Sequence, residues 1–81
     1  VATWRELIGK ALNDGDVLIS NTLSEEEMDC KFDDGYGGEE GLEFTAWSKD
    51  WVYFPICYDG AEWVGSVPRH PNGEATPHQG G

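Results

Sequence analysis

From Trp4 the apolar positions fall at Trp4, Leu7, Ile8, Ala11 and Leu12, the spacing of a single stripe along an α-helix. Thr3 and Glu6 stand as a capping box, Thr3 serving a backbone N–H and Glu6 reaching back, and Asn13-Asp14-Gly15 stops the helix. Val17-Leu18-Ile19 is β-prone and predicts a short extended segment or strand. A second helix opens at Ser24, with Glu27 closing another capping box and Leu23 and Met28 forming the hydrophobic staple. Met28 and Phe32 mark its buried side, Glu25, Glu26 and Asp29 its wet side, and Gly35 its end. Acids in the first turn suit the positive end of the helix dipole. The glycine-rich stretch from Gly35 to Gly41 predicts a mobile connection.

From Leu42 the period changes to two, and Leu42–Trp47, Trp51–Tyr58 and Ala61–Val67 read as antiparallel strands. Asp59-Gly60 is a two-residue hairpin turn, because both positions tolerate positive φ. Ser48-Lys49-Asp50 makes the other turn. Registering the strands on these turns puts Leu42, Phe44, Ala46, Val52, Phe54, Ile56, Tyr58, Ala61, Trp63, Gly65 and Val67 on one face, expected to cover the helices. Glu43, Thr45, Trp47, Trp51, Tyr53, Pro55, Cys57, Glu62, Val64 and Ser66 fall on the other. Pro55 cannot donate to a ladder, so the middle strand either bulges there or is less central than the pattern implies. The expectation is an α+β domain over residues 1–68, two short helices packed on one face of a three- to four-stranded antiparallel sheet. Residues 69–81 form a disordered Pro/Gly-rich tail.

Composition sharpens this picture. Eighty-one residues make one small domain, and ten aromatics, four of them Trp, favour a folded core over acidic disorder. No apolar run has the length of a membrane helix, and Val1-Ala2-Thr3-Trp4 has neither the basic nor the apolar region of a secretory signal, so a cytoplasmic setting is expected. In that setting Cys30 and Cys57 are expected reduced, as small, partly buried hydrophobes, with a disulfide between them as the alternative.

Charge changes the picture most. Nine of the nineteen residues from Glu25 to Glu43 are carboxylates opposed only by Lys31, and the formal net charge is −11. Such a field disfavours nucleic acid and anionic membrane as direct ligands and favours basic proteins, including surfaces that hold a phosphate backbone.

Catalytic chemistry finds no constellation. His70 and His78 lie in the tail, where nothing holds a general base in place. Gly35-Tyr36-Gly37-Gly38 follows a helix and is flanked by acids, unlike a phosphate-cradling loop. Asp33-Asp34 and Glu39-Glu40 do not match an EF-hand, since Lys31 would occupy a ligand position and Asp34 the required glycine. Cys30, Cys57 and the two histidines lack zinc-site spacing. No enzyme activity, cofactor or metal is expected.

Surfaces remain. Trp47, Trp51 and Tyr53 gather on the sheet face away from the helices, either exposed as a binding patch or covered by the first helix, the Val17 segment or the tail. Glu25, Glu26, Glu27, Asp29, Asp33, Asp34, Glu39 and Glu40 can imitate successive phosphates of a DNA strand, or can simply keep the domain dissolved.

Two resemblances bear on this choice. Phe44-Thr45-Ala46-Trp47 followed by Val52-Tyr53-Phe54-Pro55-x-Cys57-Tyr58-Asp59-Gly60-x-Glu62-Trp63-Val64-Gly65-Ser66-Val67-Pro68-Arg69, with the opening Thr3-Trp4-Arg5-Glu6, resembles small acidic bacteriophage and prophage proteins of unassigned function. That resemblance implies a phage setting, in which small acidic proteins inhibit host defence or repair. The layout of helix, apolar strand, Glu-rich helix and antiparallel sheet is similar to the phage inhibitor of uracil-DNA glycosylase, whose acidic edge strand mimics DNA and whose hydrophobic pocket traps an enzyme side chain. Where that strand has Glu-Ser-Ile, this chain has Asn21-Thr22-Leu23. DNA-mimicking inhibitors of CRISPR nucleases share the size and charge. The expected function is therefore non-enzymatic inhibition of a basic, nucleic-acid-binding host protein, a defence nuclease or repair enzyme, in the host cytoplasm. The acids supply the field, and Trp47, Trp51 and Tyr53 the apolar anchors. The alternative is a structural or adaptor module that binds protein through the aromatic sheet face.

Overall fold

Thr3 and Ser24 start the two helices. In the computed structural model, which describes residues 2–33, 35 and 41–79, α1 spans Trp4–Ala11 and α2 spans Glu25–Met28. At α2 the capping box is complete: the Ser24 hydroxyl accepts from the Glu27 N–H, and the Glu27 carboxylate accepts from the Ser24 N–H. At α1 the Thr3 hydroxyl accepts from the Glu6 N–H, but the Glu6 carboxylate takes the Thr3 hydroxyl proton instead of a backbone N–H.

The second helix is shorter than its spacing predicts. It stops at Met28, and Phe32 pairs in an isolated antiparallel bridge with Ala2 through two backbone hydrogen bonds of 2.8 and 2.9 Å. One turn crowded with Glu25, Glu26, Glu27 and Asp29 gains little by lengthening, whereas the bridge satisfies backbone groups and presses Phe32 against Trp4, ring centroids 4.8 Å apart.

Strands β1 (Ser20–Asn21), β2 (Ala46–Trp47), β3 (Trp51–Tyr58) and β4 (Ala61–Pro68) form one antiparallel sheet in that order, so the fold is α+β with two short helices and a four-stranded sheet among the described residues. The predicted Val17 strand is an extended lead into β1, joined to β2 by the Ile19 N–H on the Trp47 carbonyl. Only Ala46 and Trp47 of the predicted Leu42–Trp47 strand enter the ladder. Asp59 and Gly60 both take positive φ, 52° and 84°, and the hairpin pairs Tyr58 with Ala61 through to Trp51 with Pro68 in the predicted register.

Pro55 causes no bulge. Bonded and non-bonded pairs alternate from the closing pair Tyr58–Ala61, which places Pro55 in a non-bonded pair with Val64. Its missing N–H faces the side where β2 has already ended, at Ala46 opposite Tyr53. The reading of a strand less central than its pattern implies is the correct one.

On β3 and β4 the two faces are the reverse of the expectation, whereas Phe44 and Ala46 lie on the helix side as expected. The core joins Trp4, Ile8, Leu23 and Met28 to Phe44, Ala46, Tyr53 and Val64, so α1 and α2 cover the face that holds Tyr53 and Val64. Trp4 is 1% exposed, bonds the Leu42 carbonyl through its indole N–H at 3.0 Å, and packs edge-on against Phe44. Burying a side chain such as Ile8 is worth about 1.5–3 kcal/mol over leaving it in water. Val52, Phe54, Ile56, Trp63 and Val67 point the other way, away from the helices.

Residues 69–79 carry no helix or strand and are exposed. Arg69 anchors their start, its N–H on the Asp50 carbonyl and its guanidinium on the Ser48 carbonyl. Gly80 and Gly81, and Tyr36 to Glu40 of the predicted mobile connection, lie outside the described residues.

Candidate functional site

The aromatic trio does not form one patch. Tyr53 is 0% exposed and sits in the core, so it leaves the candidate set; Trp51 packs half-buried against that core. Trp47 lies on the opposite face, opposite Val52. Ser48 is the cause. Its N–H donates to the Trp51 carbonyl at 2.9 Å and its hydroxyl accepts from the Trp51 N–H at 3.0 Å, so a side chain closes the turn. That closure pairs Trp47 with Val52, one position from the predicted register, and a one-residue slip reverses the facing of a strand.

The acidic helix is built as predicted in its first turn. Glu25, Glu26, Glu27 and Asp29 are all exposed, and the Ser24 box fixes the backbone that carries them. Arg5, reaching from α1, holds two of them. Its Nε donates to Asp29 Oδ1 at 2.7 Å and its NH2 group donates to Asp29 Oδ2 at 3.3 Å and to Glu25 Oε2. The bond from Arg5 holds the Asp29 carboxyl below its usual range, and Asp29, then Glu25, raise the guanidinium further above its own. Glu27 is occupied as the cap, and Glu26 has no side-chain partner among the described residues. Asp33 accepts from the Gly35 N–H at 3.1 Å. Asp34, Glu39 and Glu40 lie outside the described residues.

An open groove of about 320 Å³ adjoins this turn, between α2 and the β1 edge. Leu18, Leu23 and Met28 make its floor, Ile19 its lip, and Arg5 and Glu25 its charged mouth. Ile19 and its neighbour Val17 are both exposed. Leu23 and Met28 are themselves buried in the core, so the apolar surface open to a visitor is mainly that of Ile19, and Arg5 already holds Glu25 at the mouth.

Two buried polar groups escaped sequence reasoning. The Tyr53 hydroxyl donates to Asp16 and accepts from the Asn13 N–H and Nδ2, both at 3.2 Å. The hydroxyl holds Asp16 below the usual carboxylate range, while burial, then the Asp16 bond, pushes Tyr53 up. Glu62, expected on the aromatic face away from the helices, is 6% exposed and accepts from the Gly41 N–H through both oxygens at 3.2 Å. Asn13-Asp14-Gly15-Asp16 read only as a helix stop; the signal available was a polar cluster facing an aromatic strand.

Cys30 and Cys57 are free and exposed, not partly buried. The expectation of small, partly buried hydrophobes fails for local reasons: Cys30 follows the truncated α2, and Cys57, although it shares the Tyr53 face by register, sits near the hairpin tip. His70 and His78 are exposed in the tail. Among the described residues no three His, Cys, Asp or Glu side chains are grouped to hold a metal ion, and no helix is long and apolar enough to cross a membrane. Compared with known proteins, the chain matches no family model, and neither a curated protein nor a solved structure is significantly similar to it.

Proposed function

We propose that this chain is a non-enzymatic inhibitor, of the kind phages deploy in a host cytoplasm, that occupies the nucleic-acid site of a basic host protein by presenting carboxylates in place of phosphates. The observation that carries the reading is the ordered turn of α2, where Arg5 and Ser24 fix the positions of Glu25, Glu27 and Asp29 and leave Glu26 unpaired among the described residues. Ordered charges lose less entropy on docking than a mobile acidic coat, and they steer a basic partner at long range. Exposed Ile19, at the groove beside this turn, and Val17 next to it offer an apolar contact at the edge of that field, and such a contact supplies affinity that salt does not screen.

The test is capture of binding proteins from bacterial lysate on the immobilised chain at low salt, followed by a salt step. A nucleic-acid-binding protein released by salt, displaced from its own nucleic acid by the chain, and bound about tenfold or more weakly by Glu25→Gln/Glu26→Gln, supports the reading. Glu27 is left intact in that variant because it caps the helix. Binding that ignores salt and these two substitutions sinks it.

A further inference from the structure

Asn13, Asn21 and Asn72 are the asparagines of this chain, and the fold holds each differently. The backbone nitrogen that follows an asparagine can attack its carboxamide and close a five-membered ring, because the reacting atoms are already neighbours. Closure needs a nitrogen free to lose its proton, a following side chain that leaves room, and a carboxamide not held by packing. Asn13 is held: its Nδ2 donates to the buried Tyr53 hydroxyl at 3.2 Å. The Asp14 carboxylate also opposes loss of the next N–H proton. Asn21 is half-buried in β1, and its Nδ2 donates to the Met28 sulfur at 3.1 Å. The Thr22 N–H that would attack it donates to the Thr45 carbonyl at 3.0 Å, and Thr22 is branched at Cβ.

Asn72 meets every condition. It is exposed in the turn Pro71-Asn72-Gly73, and neither its Nδ2 nor the Gly73 N–H has a partner among the described residues. Gly73 stands at φ 77°, with nothing within 4 Å of the place a Cβ would take, so base and water reach its nitrogen. The one bond of the carboxamide activates it. Asn72 Oδ1 accepts from the Glu74 N–H at 2.9 Å, which draws electron density from Cγ and stabilises the oxyanion that attack creates. Asn21 Oδ1 accepts in the same way from the Leu23 N–H at 2.9 Å. What separates the two sites is therefore the attacking residue and its surroundings.

We infer that Asn72 is a modification site, deamidated without an enzyme through a succinimide closed on the Gly73 nitrogen. Hydroxide takes the Gly73 N–H proton. The bond from that nitrogen to Cγ forms, the Cγ–Nδ2 bond breaks, and Nδ2 leaves as ammonia with a proton returned from water. Water then opens the ring at either carbonyl, leaving aspartate or isoaspartate, and nothing is oxidised or reduced. Each product adds one negative charge to a chain already at −11, in the tail loop that Arg69 and His70 share. Residues 69–79 carry no helix or strand, so the sheet, the core and the acids of α2 are left as they were. The chain ages into a second species, more acidic and equally folded.

The test is incubation of the full chain at neutral and at mildly alkaline pH, followed by ion-exchange chromatography, an ammonia assay and peptide mapping. A more acidic species must accumulate, faster at the higher pH, with ammonia released in step. Mapping must place the change at Asn72, as a mixture of aspartate and isoaspartate. Gly73→Ile, branched as Thr22 is, must slow accumulation about tenfold or more, and its thermal midpoint must match that of the parent chain, since Gly73 touches no core residue. Overturning results are a chain that stays unmodified while a free peptide of residues 70–76 converts, a change that maps first to Asn13, Asn21 or Gln79, aspartate without isoaspartate, or a rate that Gly73→Ile leaves unchanged.

Discussion

Strands β3 and β4 present two faces made of similar residues, and only one of them is inside. The inner face carries Trp51, Tyr53, Glu62 and Val64; the outer carries Val52, Phe54, Ile56, Trp63 and Val67. By hydrophobicity alone the outer face is the better core. What separates them is polar reach. Tyr53 has a hydroxyl that finds Asp16 and Asn13, and Glu62 has a carboxylate that finds the Gly41 N–H. Helix α1 and the segments after it settle on the side where their own polar groups obtain partners, because a buried group left without one costs about 1–3 kcal/mol. In this hairpin hydrogen bonds orient the sheet and apolar area only stabilises it.

The comparison can be broken most decisively by truncating one aromatic on each side. Tyr53→Ala should cost about 3–5 kcal/mol in urea unfolding, through lost packing and through the orphaned Asn13 N–H. Trp63→Ala, on the exposed face, should cost less than about 1 kcal/mol at dilute concentration. Equal costs would mean that the outer face is as firmly packed as the inner. Gly65→Ala comes next. Its new methyl meets Ile56 Cδ1 and the Phe54 ring, and the expected loss is about 1 kcal/mol, the low end for overpacking because Cδ1 can swing aside. Adding Ile56→Val should recover part of that loss, and no recovery would place the strain in the backbone instead.

The smallest effect is the most specific. Asp16 titrates below its ordinary value of 3.8 because it accepts from Tyr53. A carboxyl with a depressed folded pKa stabilises the fold above its unfolded value and loses that contribution as pH falls through the folded one. Tyr53 titrates above its ordinary value of 10.0. Its contribution is present below that pH and lost as pH rises through the folded pKa. Tyr53→Phe should therefore flatten the stability profile at both extremes, measured as thermal midpoint against pH. A profile unchanged at the acid end would show that Asp16 draws nothing from the hydroxyl.

Local chemistry was legible in the residues. Ser24 and Glu27 announced a capping box, and Asp59-Gly60 set the hairpin register to the residue. Both signals are short-range and need no knowledge of what lies across the fold. The errors come where a distant partner decides. Helix α2 ends early because Phe32 finds Ala2, about thirty residues back along the chain. The β2 register turns on one Ser48 hydroxyl that replaces a backbone acceptor. Alternation could not identify the inner face, since both sets of positions are apolar enough to be buried. At the candidate site, the acids of α2 were legible one by one, whereas their fixation by Arg5 from another helix was not.

Pro55 has a consequence for how this molecule lives in a crowded solution. Along half its length β3 has lost β2 as a neighbour, and such a bare margin ordinarily invites a foreign strand to lengthen the sheet. A recruit docking there meets a ring where it needs a donor, and its ladder is interrupted midway. That margin of β3 is thus guarded by a single imino acid, whereas β4, the outer strand of the sheet, reaches its only proline at its last residue, Pro68.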